Sequence, residues 1–290
     1  MINKKIGLLQ ISTLAFFLTT SSFILFFEKI IRVSKSDTII SIIIGCIFDL
    51  LLFKVILWGR KKIKFNNKIA NIFLMIVLTA IFIYLLINST NFIKTSFLAS
   101  GNFYSIIILL FLMCLITSNK SYKEISSLSL ILFFIFIPLF IINIIGSTFS
   151  LDSSYLMPPF ATSFGNIIMG AALFIIYTML PLLLLLFIPY NEIDNRKKQD
   201  KYLYLALIFG LLIVIIDYLL LYFSTSTIIL TSYNYPFMLV INSLSSTFIL
   251  GRLSYIISFY LLFSPLITLS LIICVIKQLG LNKYSLKTQE

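Results

Sequence analysis

Two aspartates stand inside long apolar stretches of this 290-residue sequence, where a charged side chain is uncommon. Asp49 lies in the middle of one stretch, and Asp217 lies in the second half of another. Because a carboxylate in an apolar environment costs free energy unless it is paired or protonated, both residues are candidates for binding a cation or a proton. They could equally be structural acceptors for hydroxyl or amide donors on neighbouring helices, and the sequence leaves both roles open.

Small and hydroxyl side chains interrupt two further apolar stretches. Segment 19–22 reads Thr-Thr-Ser-Ser, and segments 165–166 and 170–172 contain only glycine, asparagine and alanine. Hydroxyl groups compete for backbone hydrogen bonds and small residues permit unwinding, so we expect a helix break in each stretch. Breaks in two oppositely oriented helices are typical of a transporter substrate site, although packing between helices also uses small residues. The predicted substrate-binding residues are Thr19, Thr20, Ser21, Ser22, Asn166, Gly170, Ala171, Ala172 and Tyr177.

The composition indicates the class of protein to which these residues belong. Hydrophobic residues make up 60% of the sequence, charged residues make up 11%, and the mean hydropathy is +1.09. Soluble domains have about 45–50% apolar and about 25% charged residues, so an ordinary soluble enzyme and a disordered chain are excluded. The sequence contains no histidine, which excludes histidine-based triads and histidine-ligated zinc or haem. We therefore expect a protein that is not an enzyme and that has no metal or cofactor.

Eight apolar stretches are candidates for helices that cross a bilayer, and the fourth is the shortest of them. The predicted spans lie near 11–31, 38–58, 69–90, 103–118, 125–148, 163–189, 202–223 and 253–276. With the N-terminus in the cytoplasm, the inner segments carry 16 lysines and arginines and the outer segments carry five. This asymmetry predicts a single integral membrane domain over 1–290 with both termini cytoplasmic. Segment 237–252 has apolar residues at helical spacing, which predicts an amphipathic helix on the outer face.

Three stretches resemble the spore germination permease family, which supplies the B subunit of GerA-type germinant receptors. The first comprises Gln10, Asp37 and Ser41 and is similar to the family's S-x-x-Q and D-A-W-I-S motifs. The second, 151–171, is similar to an L-x-P loop followed by small residues, and the third, 235–253, resembles the Y-P and E-R-L-D motifs. The resemblance extends over most of the chain through the order of these motifs and their positions relative to the spans.

The resemblance implies an all-α, polytopic, inverted-repeat (LeuT-like) fold of the amino acid–polyamine–organocation transporter superfamily. Family members usually have ten spans in two inverted repeats of five, so eight spans predict an incomplete second repeat. Several positions depart from the family pattern. Gly251 and Ser254 stand where acidic residues are usual, Tyr177 lies where many members carry an acid, and segment 97–101 lacks the family's proline-rich L-P-x-T-P motif. These departures bear on transport and on the ligand more than on the fold.

The resemblance also implies a function, a location and partners. A small amino acid or a similar nutrient would bind between the first and sixth spans and signal germination. The partners would be the germinant receptor A subunit and C lipoprotein, in the spore inner membrane of a bacterial cell. The lipid bilayer is a further expected partner, whereas nucleic acid is not.

Three other functions are compatible with the sequence. The chain could be an autonomous small amino acid permease, a ligand-blind scaffold that assembles a receptor, or a permease subunit that works with a separate ATPase. Neighbouring genes for A and C subunits would favour the receptor, and a neighbouring ATPase gene would favour the third alternative.

Overall fold

The computed structural model describes residues 5–62, 68–148, 160–239 and 250–280, without the side chains of 22–24, 62, 191, 196 and 250–261. Within these ranges the chain is all-α and contains no strand. A single parallel bridge joins Ile6 to Ile193. The three cysteines are free and buried, as expected for small core residues within apolar stretches.

Nine α-helices follow one another along the described chain, and each of the eight predicted spans lies on one of them. Helix α6 continues as a 3-10 helix over Leu183–Phe187, and α8 is a short helix between two long ones. The helices are α1 (Leu8–Ser34), α2 (Thr38–Lys62), α3 (Lys68–Ser96), α4 (Phe103–Ser118), α5 (Tyr122–Ser147), α6 (Phe164–Leu182), α7 (Arg196–Ser224), α8 (Thr227–Ser232) and α9 (Leu250–Gly280).

Six helical segments of the described chain are long and apolar enough to cross a membrane. They are Leu25–Lys61, Lys68–Ser96, Tyr122–Ser147, Phe164–Phe187, Lys197–Ser224 and Leu262–Gly280. Two apolar helical segments, Leu8–Ser21 and Phe103–Ser118, are shorter. This architecture is that of an all-α integral membrane protein.

Helix α1 lies at the centre of the bundle, where it packs against α2, α5, α6, α7 and α9. Its apolar side chains, such as Phe16, Phe17 and Phe27, are almost completely buried. Helices α2 and α3 instead expose large apolar side chains, including Val55 at 61% and Ile69 at 79% of their surface. Apolar surface of this extent faces hydrocarbon in a membrane protein, so α1 is shielded while α2 and α3 contact lipid.

The helix break that the sequence predicts in α1 is absent, because the hydroxyl groups bond within the helix. Thr19 Oγ1 donates to the carbonyl of Ala15 at 2.9 Å, and Ser21 Oγ donates to the carbonyl of Leu18 at 3.1 Å. Such bonds to the preceding turn satisfy the hydroxyls and leave the backbone helical. The α-helix therefore runs without interruption from Leu8 to Ser34.

The break predicted in α6 is also absent, since this helix is continuous from Phe164 to Leu182. Gly170 permits close contact with another helix rather than unwinding, because its missing side chain leaves room for Ser34 of α1. The two expected breaks were wrong for the same reason: apolar surroundings favour satisfied backbone bonds over exposed ones.

Two sequence expectations fall wholly or partly outside the described residues. The L-x-P loop occupies 151–158, and the amphipathic outer helix would occupy 237–252, of which 240–249 are not described. The segment just before residue 237 contacts α1 and α3: Arg32 Nη2 donates to Asn234 Oδ1 at 3.3 Å, and Tyr235 Oη donates to the Asn88 carbonyl at 3.4 Å.

Candidate functional site

The predicted substrate residue Gly170 lies in a polar contact between α6 and the adjoining ends of α1 and α2. Ser34 Oγ and Ser41 Oγ are 2.8 Å apart, and Ser41 Oγ donates to the Ile167 carbonyl at 2.9 Å. A Cβ atom on Gly170 would lie only 1.8 Å from Ser34 Oγ. Glycine is therefore the residue that lets α6 approach both serines.

Asp37, in the turn between α1 and α2, binds the chain just before α6. Its Oδ1 accepts from the Phe160 backbone N–H, and its Oδ2 accepts from the backbone N–H and the hydroxyl of Thr162, each at 2.7 Å. Phe160 has a φ of 61°, which is in the left-handed region. Left-handed residues occur where successive backbone N–H groups converge on one anion. We call Ser34, Asp37, Ser41, Thr162 and Gly170 the outer closure, because the predicted topology puts this end of the bundle on the outer side.

The structure does not bring Gly170 to the hydroxyl segment of α1. Ser34 lies thirteen residues beyond Ser21, which is about 20 Å along a helix. Thr19 instead faces α7, where a Cβ on Gly210 would lie 3.2 Å from Thr19 Cβ. Ser21 Oγ accepts from Thr268 Oγ1 of α9 at 3.0 Å.

The remaining predicted substrate residues are divided between buried and exposed positions. Thr20 and Ala171 are buried, whereas Asn166 and Ala172 are exposed on α6, and the side chain of Ser22 lies outside the described residues. The site predicted between segments 19–22 and 170–172 is thus not assembled in this arrangement, while a role for any single residue stays a prediction.

Tyr177 is the predicted residue that belongs to a convergent group of side chains. The ammonium of Lys29 lies 5.3 Å from the ring centroid of Phe26, 5.2 Å from that of Tyr84 and 5.6 Å from that of Tyr177. Lys29 Nζ also donates to Tyr84 Oη at 2.5 Å. The Phe26 ring is stacked against both tyrosine rings, with centroid distances of 5.4 Å to Tyr84 and 4.4 Å to Tyr177. We call these four residues the Lys29 cluster; they come from α1, α3 and α6.

The Lys29 ammonium extends along α1 towards the N-terminal part of that helix. Its contact with Phe26, one turn nearer the N-terminus of α1, is the direction expected of a helical side chain. Tyr84 lies about 18 Å along α3 from its C-terminal end, and Tyr177 lies about 20 Å along α6 from its N-terminal end. Among the described residues, no carboxylate lies within 4.0 Å of this ammonium.

An ammonium without a counter-ion costs free energy inside a membrane, so Lys29, which has none among the described residues, is a candidate for binding an anion. Cation–π contacts and one phenol offset part of this cost. Sequence reasoning missed Lys29 because it counted that residue among the charges of an outer segment. The i, i+3 spacing of Phe26 and Lys29 was the available local signal, but the two tyrosines come from distant parts of the chain.

The two intramembrane aspartates lie in separate places. Asp49 Oδ2 accepts from Thr178 Oγ1 of α6 at 2.5 Å, and its Oδ1 has no hydrogen-bond partner among the described residues. Asp217 is also buried, and its Oδ1 has no such partner there either. The Thr178 bond is the structural contact expected of an acceptor, while the unpaired oxygens keep cation or proton binding as a prediction.

Polar contacts also join the helices at the end of the bundle opposite the outer closure. The buried Arg60 guanidinium donates through Nε to the Ile188 carbonyl at 3.3 Å and through Nη1 to Gln199 Oε1 at 3.4 Å. Lys61 forms an ion pair with Asp200. The α1, α2, α6 and α7 bundle is therefore tied together at both ends.

Comparison with known proteins gives no independent identification. No family model matches the chain, and no curated protein matches it. The resemblance to germination permeases is carried by the residues quoted above alone.

Proposed function

We propose that this chain is the transporter-like membrane subunit of a spore nutrient-germinant receptor, and that a small amino acid or similar nutrient binds at the Lys29 cluster. The observation that carries the proposal is the half-buried ammonium of Lys29, which has no carboxylate within 4.0 Å among the described residues and is set among aromatic rings from α1, α3 and α6. A ligand carboxylate there would accept a charge-assisted hydrogen bond and offset the cost of the lysine charge.

The packing of the long helices supports a transporter-like mechanism. In two inverted halves of five helices, α1 corresponds to α6 and α2 to α7, and α1 and α2 each pack against both α6 and α7. Ligand contacts on α1 and α6 would favour one arrangement of the two helices over another. The outer closure, which joins the same helices, is the contact that such a rearrangement would alter, and the A and C subunits would detect the change.

Spore germination provides the test of this function. Lys29→Met keeps much of the apolar stem of the lysine and removes its charge. Losing a hydrogen bond to a charged group costs about 1.5–3 kcal/mol, so we expect the half-maximal nutrient concentration to rise roughly 10- to 150-fold.

Lys94→Met, at the outer end of α3, is the matched control and should leave the dose–response curve unchanged. Both variants must reach wild-type abundance and be recovered with the A and C subunits. An unchanged curve for Lys29→Met would contradict the proposal.

One observation favours a second candidate, the ligand-blind assembly scaffold. The α-helical backbone of α1 and of α6 is continuous, so neither helix has a break that would offer free backbone groups to a ligand. A scaffold predicts that Lys29→Met leaves both the nutrient response and the recovery of partner subunits intact. A receptor predicts the rise in half-maximal nutrient concentration given above, with recovery of the partner subunits intact.

A further inference from the structure

We infer that the Lys29 cluster selects a carboxylate ligand that carries no ammonium group, and that the ligand reaches it from the side of the bundle. This inference rests on the proposed function in one respect, the location of the ligand at the Lys29 cluster. It differs from that proposal in the class of ligand, because it excludes zwitterionic amino acids.

The cluster has the groups that a carboxylate needs. Lys29 Nζ is a three-proton donor, and Tyr84 Oη beside it is a second group able to donate. The stacked rings of Phe26, Tyr84 and Tyr177 form apolar walls around the ammonium, where low polarity strengthens a charge-assisted hydrogen bond.

Among the described residues, the cluster has no acidic group that would hold the ammonium of an amino acid. The nearest acid in sequence, Glu28, is engaged by Arg32 at 2.7 Å. The titratable groups that act on Lys29 are the two phenols of Tyr84 and Tyr177. Asp49 of α2, which accepts a hydrogen bond from Thr178 of α6, is completely buried. A zwitterion would therefore place its positive charge near Lys29 without compensation, which disfavours it.

The cluster opens on the lateral surface of the described chain. Tyr84 is 42% exposed, and Lys29 and Tyr177 are partly exposed. Ile87, one turn from Tyr84 on α3, is exposed as well. A carboxylate could come from either of two sources, a small water-soluble acid or a fatty acid in the bilayer, and the chemistry of binding is the same for both.

Three matched probes test the class of ligand: 3-phenylpropionate, phenylalanine and phenethylamine. All three have a phenyl ring. 3-Phenylpropionate carries a carboxylate, phenylalanine carries a carboxylate and an ammonium, and phenethylamine carries an ammonium. Equilibrium binding is measured with the full chain in nanodiscs of neutral phosphatidylcholine. We expect 3-phenylpropionate to bind at least 10-fold more tightly than phenylalanine and phenethylamine not to bind. Lys29→Met should abolish the preference, Tyr177→Phe should weaken binding several-fold, and Lys94→Met should change neither.

A second arm replaces 3-phenylpropionate with oleate in the nanodisc and so distinguishes the sources. Lys29-dependent binding of oleate alone would support the carboxylate site and would contradict the nutrient receptor. Phenylalanine binding as tightly as 3-phenylpropionate, in a Lys29-dependent manner, would overturn the inference and leave the proposed function standing. Absence of Lys29-dependent binding for both carboxylates would also overturn it, while the spore dose–response curve judges the proposed function separately.

Discussion

At the scale of single residues, both carboxylate oxygens of Asp37 accept hydrogen bonds, whereas Asp49 and Asp217 each have one oxygen without a partner among the described residues. The sequence singled out Asp37 through a motif resemblance, whereas it selected Asp49 and Asp217 by their apolar surroundings. The three donors to Asp37 come from residues more than 120 positions away, so its partners could not be predicted from local spacing. A carboxylate beside a turn can serve many local contacts, and only the fold determines which one forms.

Replacement of Asp37 by alanine should destabilise the protein. The change leaves two backbone N–H groups and one hydroxyl without their acceptor, at a cost on the order of 3 kcal/mol in the free energy of unfolding. The measurement is the unfolding midpoint of the purified protein in detergent. Asp194→Ala, at an exposed position, is the control and should shift that midpoint little. Equal midpoints for the two variants would show that the Asp37 contacts are dispensable.

Lys29 illustrates a different limit of sequence reasoning at this scale. A lysine five residues before the end of a helix can extend outward to water or inward to a cluster, and both are common. The inward direction follows from rings supplied by α3 and α6. Residue types alone do not determine that tertiary choice, whereas Tyr177 was identified because it lies in a family position.

At the scale of elements, the apolar stretches predicted the helices well but predicted their interiors poorly. The bounds of α4 agree with the predicted 103–118, and most of the other helices extend a few residues beyond the predicted span. Length and hydropathy determine these bounds because backbone groups in lipid must bond within the helix. The same requirement removed the two predicted breaks, since Thr19 and Ser21 bond to their own helix instead.

Contact between α1 and α6 can be tested with two glycines of the same helix. Gly170→Ala places a methyl group against Ser34 and Ser41, so we expect a loss of about 1–3 kcal/mol in the free energy of unfolding. Gly165→Ala meets no atom within 4 Å and should be neutral or slightly stabilising.

Combining Gly170→Ala with Ser34→Ala isolates the contact itself. The second substitution removes the hydroxyl that the new methyl group would overlap, so part of the lost stability should return. Strictly additive effects of the two substitutions, measured by the same unfolding midpoint, would mean that the helices are not in contact at this point.

At the scale of the whole molecule, the charge asymmetry makes a prediction about orientation. The buried native cysteines should give little background with a membrane-impermeant maleimide. Ser100→Cys lies in the exposed segment between α3 and α4, and Lys198→Cys is exposed near the start of α7. With cytoplasmic termini, Ser100→Cys should react in intact cells and Lys198→Cys only after permeabilisation. Reaction of both cysteines from the same side would contradict the eight-span topology.

The inverted-repeat relationship stays a prediction at this scale, although the packing of α1, α2, α6 and α7 agrees with it. Sequence reasoning could propose that pairing from the resemblance, because the order of spans fixes which helices correspond. It could not place the ligand, since the proposed site depends on side chains from α1, α3 and α6 that meet only in the folded bundle.

The central claim is that this chain itself binds the nutrient, independently of its partner subunits. The most direct measurement is equilibrium binding of the germination-triggering nutrient to the purified chain alone in nanodiscs. The account predicts saturable binding of one nutrient per chain, weakened roughly 10-fold or more by Lys29→Met and unchanged by Lys94→Met. The account would be contradicted if the folded, purified chain showed no saturable binding of a nutrient to which spores with the wild-type receptor respond.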